Sequence, residues 1–361
     1  MRCSSWRPSA CARSSNGPTC RAVAGPWQSA DCSTTSCDMP WLLLVSGSWS
    51  RPDQVLTPGA GRGNTQPPRP NSVQMGGSMK IGDAVVDPLV DGEMVVPADA
   101  FYPGQTAADW RGSEQFLEPV FGEAMHLYTL GGFVIRHGDR VIVVDTGVGV
   151  HATFPFVGGG FRSAFAATGL RRDEVTDVVF THLHVDHIGW TSVDGKAFFP
   201  NAVHRVDRRD FDLYCAPDFT FNEVEAAYCT PETDAPGVRL GPVMDRIELF
   251  EGDDELLPGL SSIEASGHTP GETVLRLTSA GESGLFLGDT VHTAPELYDE
   301  NARGQWNFCF HHDEAKALES LERIRRIVID EGLPVAGAHF PGLQWGRVTG
   351  SAGSRTWERL D

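Results

Sequence analysis

Four side chains that can bind a metal ion lie within six residues, directly after a strand-like apolar run. Val178-Val179-Phe180 has the composition of a buried strand, and it leads into His182, His184, Asp186 and His187. Alternate side chains of an extended chain point the same way, so His182 and His184 can hold one cation, and the turn that follows presents Asp186 and His187 to another. Burying these groups without a metal would cost free energy unless each found a partner. The cluster is therefore predicted to bind metal.

Three later segments each end an apolar run on a residue of the same kind. His268 lies in the turn SGHTPG, Asp289 ends the run LFLGD, and His339 ends the run VAGAH. The ends of strands are where a rigid sheet can hold functional side chains in place. Imidazole and carboxylate donors without a thiolate suit zinc, manganese, iron or cobalt. The sequence predicts a catalytic centre for two divalent metal ions, with zinc favoured.

Short apolar runs alternate with helical periodicity through most of the chain, which indicates an α/β fold. Apolar residues recur at i, i+3 and i+4 over Asp313–Asp330, as expected of a surface helix. Strands and surface helices in this arrangement predict two packed sheets with helices on the outside. The predicted strands are Ala84–Val90, Gly132–Arg136, Arg140–Asp145, Asp177–Thr181, Ala202–Val206, Val274–Leu277 and Leu285–Leu287.

The folded domain is predicted to begin near Met79. The segment Arg51–Ser78 is rich in Pro, Gly, Asn and Gln and has too little apolar content to offset the entropy of ordering it. We therefore expect residues 1–78 to be a disordered N-terminal extension without a catalytic role, and residues 79–361 to form the hydrolase domain.

Charge and cysteine content narrow the choice of partners and compartment. Beyond Ser78 the chain has 22 basic and 45 acidic side chains, a formal charge of −23. Nucleic acids and anionic membranes bind clustered Lys and Arg, so both are excluded as expected partners. Cys215, Cys229 and Cys309 lack CxxC spacing, which favours reduced thiols in a cytoplasmic protein. A small-molecule substrate is the expected partner, and the sequence leaves a homodimer open.

Taken together, HxHxDH, GHTPG, GD and AHFP occur in an order and spacing that resembles the metallo-β-lactamase superfamily of hydrolases, over about Lys80 to Val348. The resemblance implies a four-layer αββα sandwich. It places His182, His184 and His268 on the first metal ion, and Asp186, His187 and His339 on the second. It also implies that Asp289 bridges both ions.

The resemblance further suggests that Asp145, in the sequence VDTG, orients a ligand histidine, as metal-bound imidazoles need. A turn-forming Asp before Gly is the equal alternative for this residue.

The resemblance is strongest to the lactonase and organophosphate-hydrolase branch. Its implied reaction is the opening of a lactone, or cleavage of a related ester, by a metal-bridging hydroxide, with Asp186 accepting and returning the proton. Quorum-quenching lactonases of this branch carry a Tyr three residues after the bridging Asp, whereas this chain has His292 there. We expect His292 to replace the phenol as a hydrogen-bond donor to substrate; a solvent-facing His292 is the alternative.

Other chemistries occur with the same donor residues, so the substrate is not settled by them. Phosphotriester hydrolysis, thioester hydrolysis of the glyoxalase II type and di-iron redox chemistry are the alternatives. Redox members normally carry a flavin-binding domain, and none follows His339. An apolar pocket is expected if the aromatic residues near these segments line it: Phe101, Tyr102, Trp110, Trp190, Phe199, Trp306, Phe308 and Trp345.

Overall fold

Two β-sheets packed face to face form the centre of the protein. The computed structural model describes residues 76–97, 99–106, 108–110, 113, 116–120, 123–153, 155–223, 225–299 and 310–360. Within these residues the strands form a nine-stranded sheet, a seven-stranded sheet and a two-stranded ribbon.

The first sheet is antiparallel at one edge and parallel at the other. Its strands are β1 (Met79–Ile81), β2 (Ala84–Pro97), β3 (Leu117–Val120), β4 (Glu123–His137), β5 (Arg140–Val144), β6 (Phe156–Val157), β7 (Asp177–Val179), β10 (Val203–Asp207) and β11 (Ile247–Phe250). The order across the sheet is β1-β2-β4-β5-β7-β10-β11, with β3 beside β4 and β6 beside β2. Strand β7 runs parallel to both β5 and β10. The ribbon pairs β8 (Ser192–Val193) with β9 (Lys196–Ala197).

The second sheet follows chain order from end to end. Its strands are β12 (Glu255–Leu257), β13 (Leu260–Glu264), β14 (Thr273–Ser279), β15 (Glu282–Phe286), β16 (Val335–Ala336), β17 (Trp345–Thr349) and β18 (Thr356–Leu360). The helices are α1 (Phe161–Ala167), α2 (Val185–Ile188), α3 (Arg208–Tyr214), α4 (Pro231–Asp234), α5 (Pro236–Leu240), α6 (Pro295–Tyr298) and α7 (Glu314–Glu331). Short 3₁₀ turns lie at Arg172–Glu174, Glu225–Ala227, Gly241–Arg246 and Pro341–Leu343.

Alternation along the strands creates the core between the sheets. In β5, Ile142 and Val144 face the second sheet, whereas Val143 faces the helices outside. The inner faces bury a continuous apolar layer that includes Phe286 and Trp345. Because successive side chains of a strand point to opposite faces, an apolar run such as Arg140–Val144 suits a strand that is buried on both sides.

Helices cover both outer faces, which completes four layers. Phe161 of α1 and Tyr214 of α3 pack on the outer face of the first sheet, and Ile324 and Val328 of α7 pack on the outer face of the second. Helix α7 begins after Asp313, whose carboxylate accepts the N–H of Lys316 at 3.1 Å. The predicted α/β sandwich and its surface helix are confirmed.

Two expectations concern the ends and surface of this fold. Almost all of the predicted extension at residues 1–78 lies outside the described residues; of the rest, Gly76 donates its N–H to the carbonyl of Gly342 at 2.8 Å. Every helix in the described part of the chain is too short or too polar to span a lipid bilayer.

Candidate metal centre

The HxHxDH segment begins in the loop after β7 and ends within α2. His184 is the residue that precedes the first turn of α2, with extended backbone angles. The Nε2 atom of His182 lies 3.1 Å from Nδ1 of His184. Asp186 and His187 lie within α2 itself, and the ring centroid of His187 is 4.0 Å from that of His182. His182 therefore lies beside both His184 and His187, and it belongs to one group of potential ligands with each of them.

The turn SGHTPG brings His268 beside the first pair. Its Nε2 atom lies 2.9 Å from Nδ1 of His184, and one ring nitrogen from each of His182, His184 and His268 lies within 4.8 Å of the other two. Gly267 is required here, because its φ is +140° and a Cβ would come within 2.1 Å of the backbone nitrogen of Ala317 at the start of α7. We call these three histidines the first donor group.

The second donor group consists of Asp186, His187 and His339. One ligand atom from each lies within 4.8 Å of the others, and Nε2 of His339 is 3.6 Å from Oδ2 of Asp186. His339 follows the short strand β16, which pairs with β15 in parallel, so the residues after both strands emerge at the same edge of the second sheet.

Asp289 lies between the two donor groups. Its Oδ2 is 3.5 Å from Nε2 of His268 and 3.1 Å from Nε2 of His339, and its Oδ1 is 3.4 Å from Nε2 of His187. Gly288 holds a positive φ of +54°, and a Cβ there would come within 2.3 Å of Glu272 Oε1. The glycine of the GD pair therefore permits the close packing beneath Asp289.

Several donor residues are oriented by a second hydrogen bond on the far side of the ring. Asp145 Oδ2 lies 3.0 Å from Nδ1 of His187. The carbonyl of Thr129 lies 3.1 Å from Nδ1 of His339. Such partners fix the tautomer and the ring plane of a metal-binding histidine. Asp145 also has a φ of +55°, so it is at once the turn residue and the orienting carboxylate that the sequence allows as alternatives.

Sequence reasoning missed three residues of this outer layer: Glu272, Asp210 and Tyr214. Glu272 is fully buried, its Oε2 lies 3.1 Å from Nδ1 of His182, and its Oε1 accepts the N–H of Asp289 at 3.0 Å. Its position directly after the turn SGHTPG was the available signal, since a buried carboxylate needs partners. The roles of Asp210 and Tyr214 depend on contacts between distant segments, for which the sequence carries no pattern.

His292 is buried close to both donor groups. Its Nε2 lies 3.4 Å from Oδ2 of Asp289, and its ring centroid lies 5.0 Å from that of His268. The backbone N–H groups of His292 and Thr293 both donate to Glu296 Oε2, at 2.6 and 2.9 Å. The solvent-facing alternative for His292 is wrong, because the side chain is only 2% exposed. It also forms a possible metal-binding group with His268 and Asp289.

The aromatic residues fall into two sets. Trp345 lies between the sheets, and Trp190 and Phe199 lie in the core under α1, so none of these three can be counted as pocket lining. Phe101 packs edge-on against Tyr128 at 5.4 Å, and Tyr128 packs edge-on against His339 at 5.6 Å. Tyr102 and Trp110 are buried beside the same group. Trp306 and Phe308 lie outside the described residues.

The histidines of the two donor groups have pKa values shifted in opposite directions. Burial lowers the pKa of all three histidines of the first donor group, which keeps them neutral. Burial also opposes charge on His187 and His339, but nearby carboxylates, Asp289 first, outweigh it and raise both pKa values. Metal binding needs unprotonated donors, so a cation at the second group must displace protons.

The donor set fits divalent metal ions. Among the described residues, Nε2 of His187 and Oδ1 of Asp289 are buried without a hydrogen-bond partner, although they face each other across the centre. Buried polar atoms without partners are costly, and a cation would satisfy both. Imidazole and carboxylate ligands of this kind are those that catalytic zinc takes.

Comparison with known families decides the affiliation. The profile of the metallo-beta-lactamase superfamily matches residues 132–331, more than half of the 361 residues. The chain belongs to the metallo-β-lactamase superfamily. The matched region contains every donor described above except His339. Membership confirms the predicted hydrolase family and its fold.

Curated relatives within the metallo-β-lactamase superfamily are N-acyl homoserine lactonases. AttM of Azorhizobium caulinodans is 28% identical over 180 residues, covering 48% of this chain and 62% of that enzyme. AttM of Rhizobium johnstonii is 29% identical over 228 residues, covering 58% and 81%. The Bacillus cereus lactonase is 25% identical over 165 residues, covering 45% and 55%. The chain therefore spans less than two thirds of the length of two of these three relatives.

Solved structures of the superfamily share the architecture. The hydrolase AbOPH of the β-lactamase superfamily superposes with a TM-score of 0.66 at 24% identity, covering 80% of this chain and 99% of that one. AidC, a dizinc quorum-quenching lactonase solved with a product, gives a TM-score of 0.65 at 21% identity, covering 80% and 98%. At this identity the likeness supports the fold.

Proposed function

We propose that the protein is a dinuclear metal-dependent hydrolase that opens a lactone or cleaves a related ester. The observation that carries the proposal is the position of Asp289 between two groups of three donors, with its Oδ2 within 3.5 Å of a histidine nitrogen of each group. The N-acyl homoserine lactonase relatives support a lactone as the substrate class. Zinc is the proposed metal, with manganese, iron or cobalt as alternatives.

Each donor has a defined place in this proposal. His182, His184 and His268 would hold the first ion, and Asp186, His187 and His339 the second. Asp289 would serve both. When bound, two such ions would lower the pKa of water toward ~7 and polarise a carbonyl oxygen.

The remaining catalytic work falls to side chains of the chain itself. Asp186 lies at the edge of the second donor group with its side chain 12% exposed, so it can meet solvent and substrate, and we assign it to accept and return the proton. Burial lowers the pKa of His292, and a neutral imidazole retains one N–H that can donate to the substrate oxygen. No Ser or Cys nucleophile is needed.

A substrate screen tests the proposal. The full chain is reconstituted with zinc, manganese, iron or cobalt and assayed with homoserine lactones of different acyl length, a simple γ-lactone, an aryl ester, a phosphotriester, a thioester and a β-lactam. We expect hydrolysis of a lactone or ester that disappears in Asp289→Ala. Asp139→Ala, which removes an exposed carboxylate in the turn between β4 and β5, is the matched control and should retain activity.

Turnover confined to the thioester, the phosphotriester or the β-lactam would contradict the proposed substrate class while leaving a dinuclear hydrolase. Hydrolysis that survives in Asp289→Ala would contradict the centre itself.

A further inference from the structure

We propose that helix α3 is the positioning element of the first donor group, acting through Tyr214 on His184 and through Asp210 on the loops that carry all three histidines. The inference rests on the dinuclear centre proposed above and extends it to residues that do not contact the metal ions. Asp210 and Tyr214 are both buried.

Tyr214 contacts the nitrogen of His184 that faces away from the centre. Nδ1 of His184 faces the centre, 3.1 Å from Nε2 of His182 and 2.9 Å from Nε2 of His268. The opposite nitrogen, Nε2, lies 2.9 Å from the hydroxyl of Tyr214. A neutral imidazole has one N–H, so a proton on Nε2 that donates to Tyr214 leaves Nδ1 free to bind a cation. A tyrosine hydroxyl that accepts this proton stabilises the tautomer that the first site requires.

Asp210 connects the two loops of the first donor group. Its Oδ2 accepts the backbone N–H of Leu183, which lies between His182 and His184, at 3.1 Å, and the hydroxyl of Thr269, which follows His268, at 2.9 Å. Its Oδ1 accepts the N–H of Gly271 at 2.6 Å. A buried carboxylate with three donors is well satisfied, and removing it would leave those donors unpaired.

The two side chains act together because of their spacing. Residues four apart lie on the same face of a helix, so Asp210 and Tyr214 both face the centre. The helix is capped by Asp207, whose carboxylate accepts the N–H of Arg209 at 2.8 Å. A Cβ at Gly271 would come within 2.9 Å of Cγ of Asp210, so the turn SGHTPG packs directly on α3.

The second donor group is oriented by other elements. His187 is held by Asp145, which follows β5, and His339 by the carbonyl of Thr129 in β4. Loss of the Tyr214 hydroxyl should therefore lower the affinity for the ion at the first donor group and leave the affinity for the other ion unchanged. A general loss of packing would not produce this selectivity.

Metal affinity of the Tyr214→Phe chain tests the inference. Both dissociation constants are measured by competition with graded chelators on the full chain, and the unfolding midpoint of the metal-free protein is recorded. Tyr298→Phe is the control, since it removes a hydroxyl hydrogen bond of 2.7 Å, to Ser113, that involves no donor residue. We expect one ion to bind about 10–100-fold more weakly in Tyr214→Phe, with the other unchanged.

Two further chains test the same inference: Asp210→Asn, and Tyr214→Phe combined with His339→Ala. Asp210→Asn should weaken the same ion, because an amide N–H₂ would face one of the three donors. Repeating Tyr214→Phe in a His339→Ala chain should weaken the ion that remains. If the wild type binds two ions tightly and Tyr214→Phe leaves both affinities unchanged or weakens both equally, the role of α3 is contradicted and the dinuclear centre is not. A wild type that holds fewer than two ions would overturn the dinuclear proposal and the inference with it.

Discussion

The carboxylate of Asp145 lies 3.0 Å from Nδ1 of His187, and it occupies this place because its own backbone is left-handed, with φ at +55°. The same carboxylate accepts the N–H and the hydroxyl of Thr181, each at 2.8 Å, just before the HxHxDH segment. Asp and Asn tolerate this backbone region better than other residues with a Cβ. Asp145 thus forms the turn after β5, holds Thr181 at the start of the HxHxDH segment and orients the ring of His187.

Replacement of Asp145 by Asn should lower the affinity for the metal ion at the second donor group. Asn tolerates the backbone and can keep one hydrogen bond, but it removes the negative charge beside His187. We expect affinity at the second donor group to fall about 10–100-fold, measured by chelator competition. The exposed Asp139→Asn exchange is the control. Unchanged affinity for both ions in Asp145→Asn would argue against an orienting role.

His292 is the residue that should separate binding of metal from catalysis. A single oriented donor can contribute ~2.7–4 kcal/mol to a transition state, so His292→Ala should lower turnover about a hundredfold or more on the best lactone or ester. His292→Tyr should retain part of that turnover, because a phenol can also donate. Metal content should not change.

Elemental analysis distinguishes this role from metal ligation. His292 could also ligate, since it forms a group with His268 and Asp289. Loss of an ion from His292→Ala would assign it to the metal. Full turnover in His292→Ala would remove it from the reaction altogether.

Glu296 should make the metal-free protein less stable as the pH rises. Burial raises its pKa from the ordinary 4.5 to about 8. The unfolded chain releases the Glu296 proton above pH ~4.5, whereas the folded chain retains it up to about pH 8. The free energy of unfolding is therefore highest below pH ~4.5 and falls as the pH rises toward 8. The slope is at most about 1.4 kcal/mol per pH unit.

Glu296→Gln mimics the protonated acid and can still accept the N–H groups of His292 and Thr293 through one oxygen. Its free energy of unfolding, measured by urea denaturation between pH 5 and 8, should therefore fall less steeply than that of the wild type. Parallel curves for the two proteins would contradict the assignment.

The donor residues could be predicted because the sequence places each at the end of an apolar run. His182, His184, Asp186 and His187 are adjacent in the chain, and strand-end geometry is local. The fold followed from the same runs, since alternation and length indicate strands whatever their partners. The sequence linked His292 to the site only because it lies three residues after Asp289.

The orienting residues could not be predicted because their partners are far away in the chain. Glu272 contacts His182 although the two are 90 positions apart in the sequence. Asp210 contacts Leu183, which precedes it in the chain, and Gly271, which follows it. Isolated Glu, Asp and Tyr residues look like solvated surface side chains until the fold buries them. The aromatic residues show the converse, since Trp345 and Phe199 are near the donors in sequence but lie in the core.

We propose that residues 1–78 have no catalytic role, and two shortened chains test this. A chain that starts at Gly76 keeps the hydrogen bond from its backbone to Gly342, next to the turn after His339. A chain that starts at Met79 loses it. Both should retain two metal ions and the turnover of the full chain, with the Gly76 chain at least as stable. Loss of metal or activity in the Gly76 chain would place a required residue in the removed segment.

The metal content of the purified protein tests the central claim most directly. Asp289 lies within 3.5 Å of a nitrogen in each donor group, so one carboxylate should support both ions. Elemental analysis is expected to give close to two divalent metal ions per wild-type chain, fewer at both sites in Asp289→Ala, and about one in His339→Ala. One ion per wild-type chain, or two retained in Asp289→Ala, would contradict the bridged dinuclear centre.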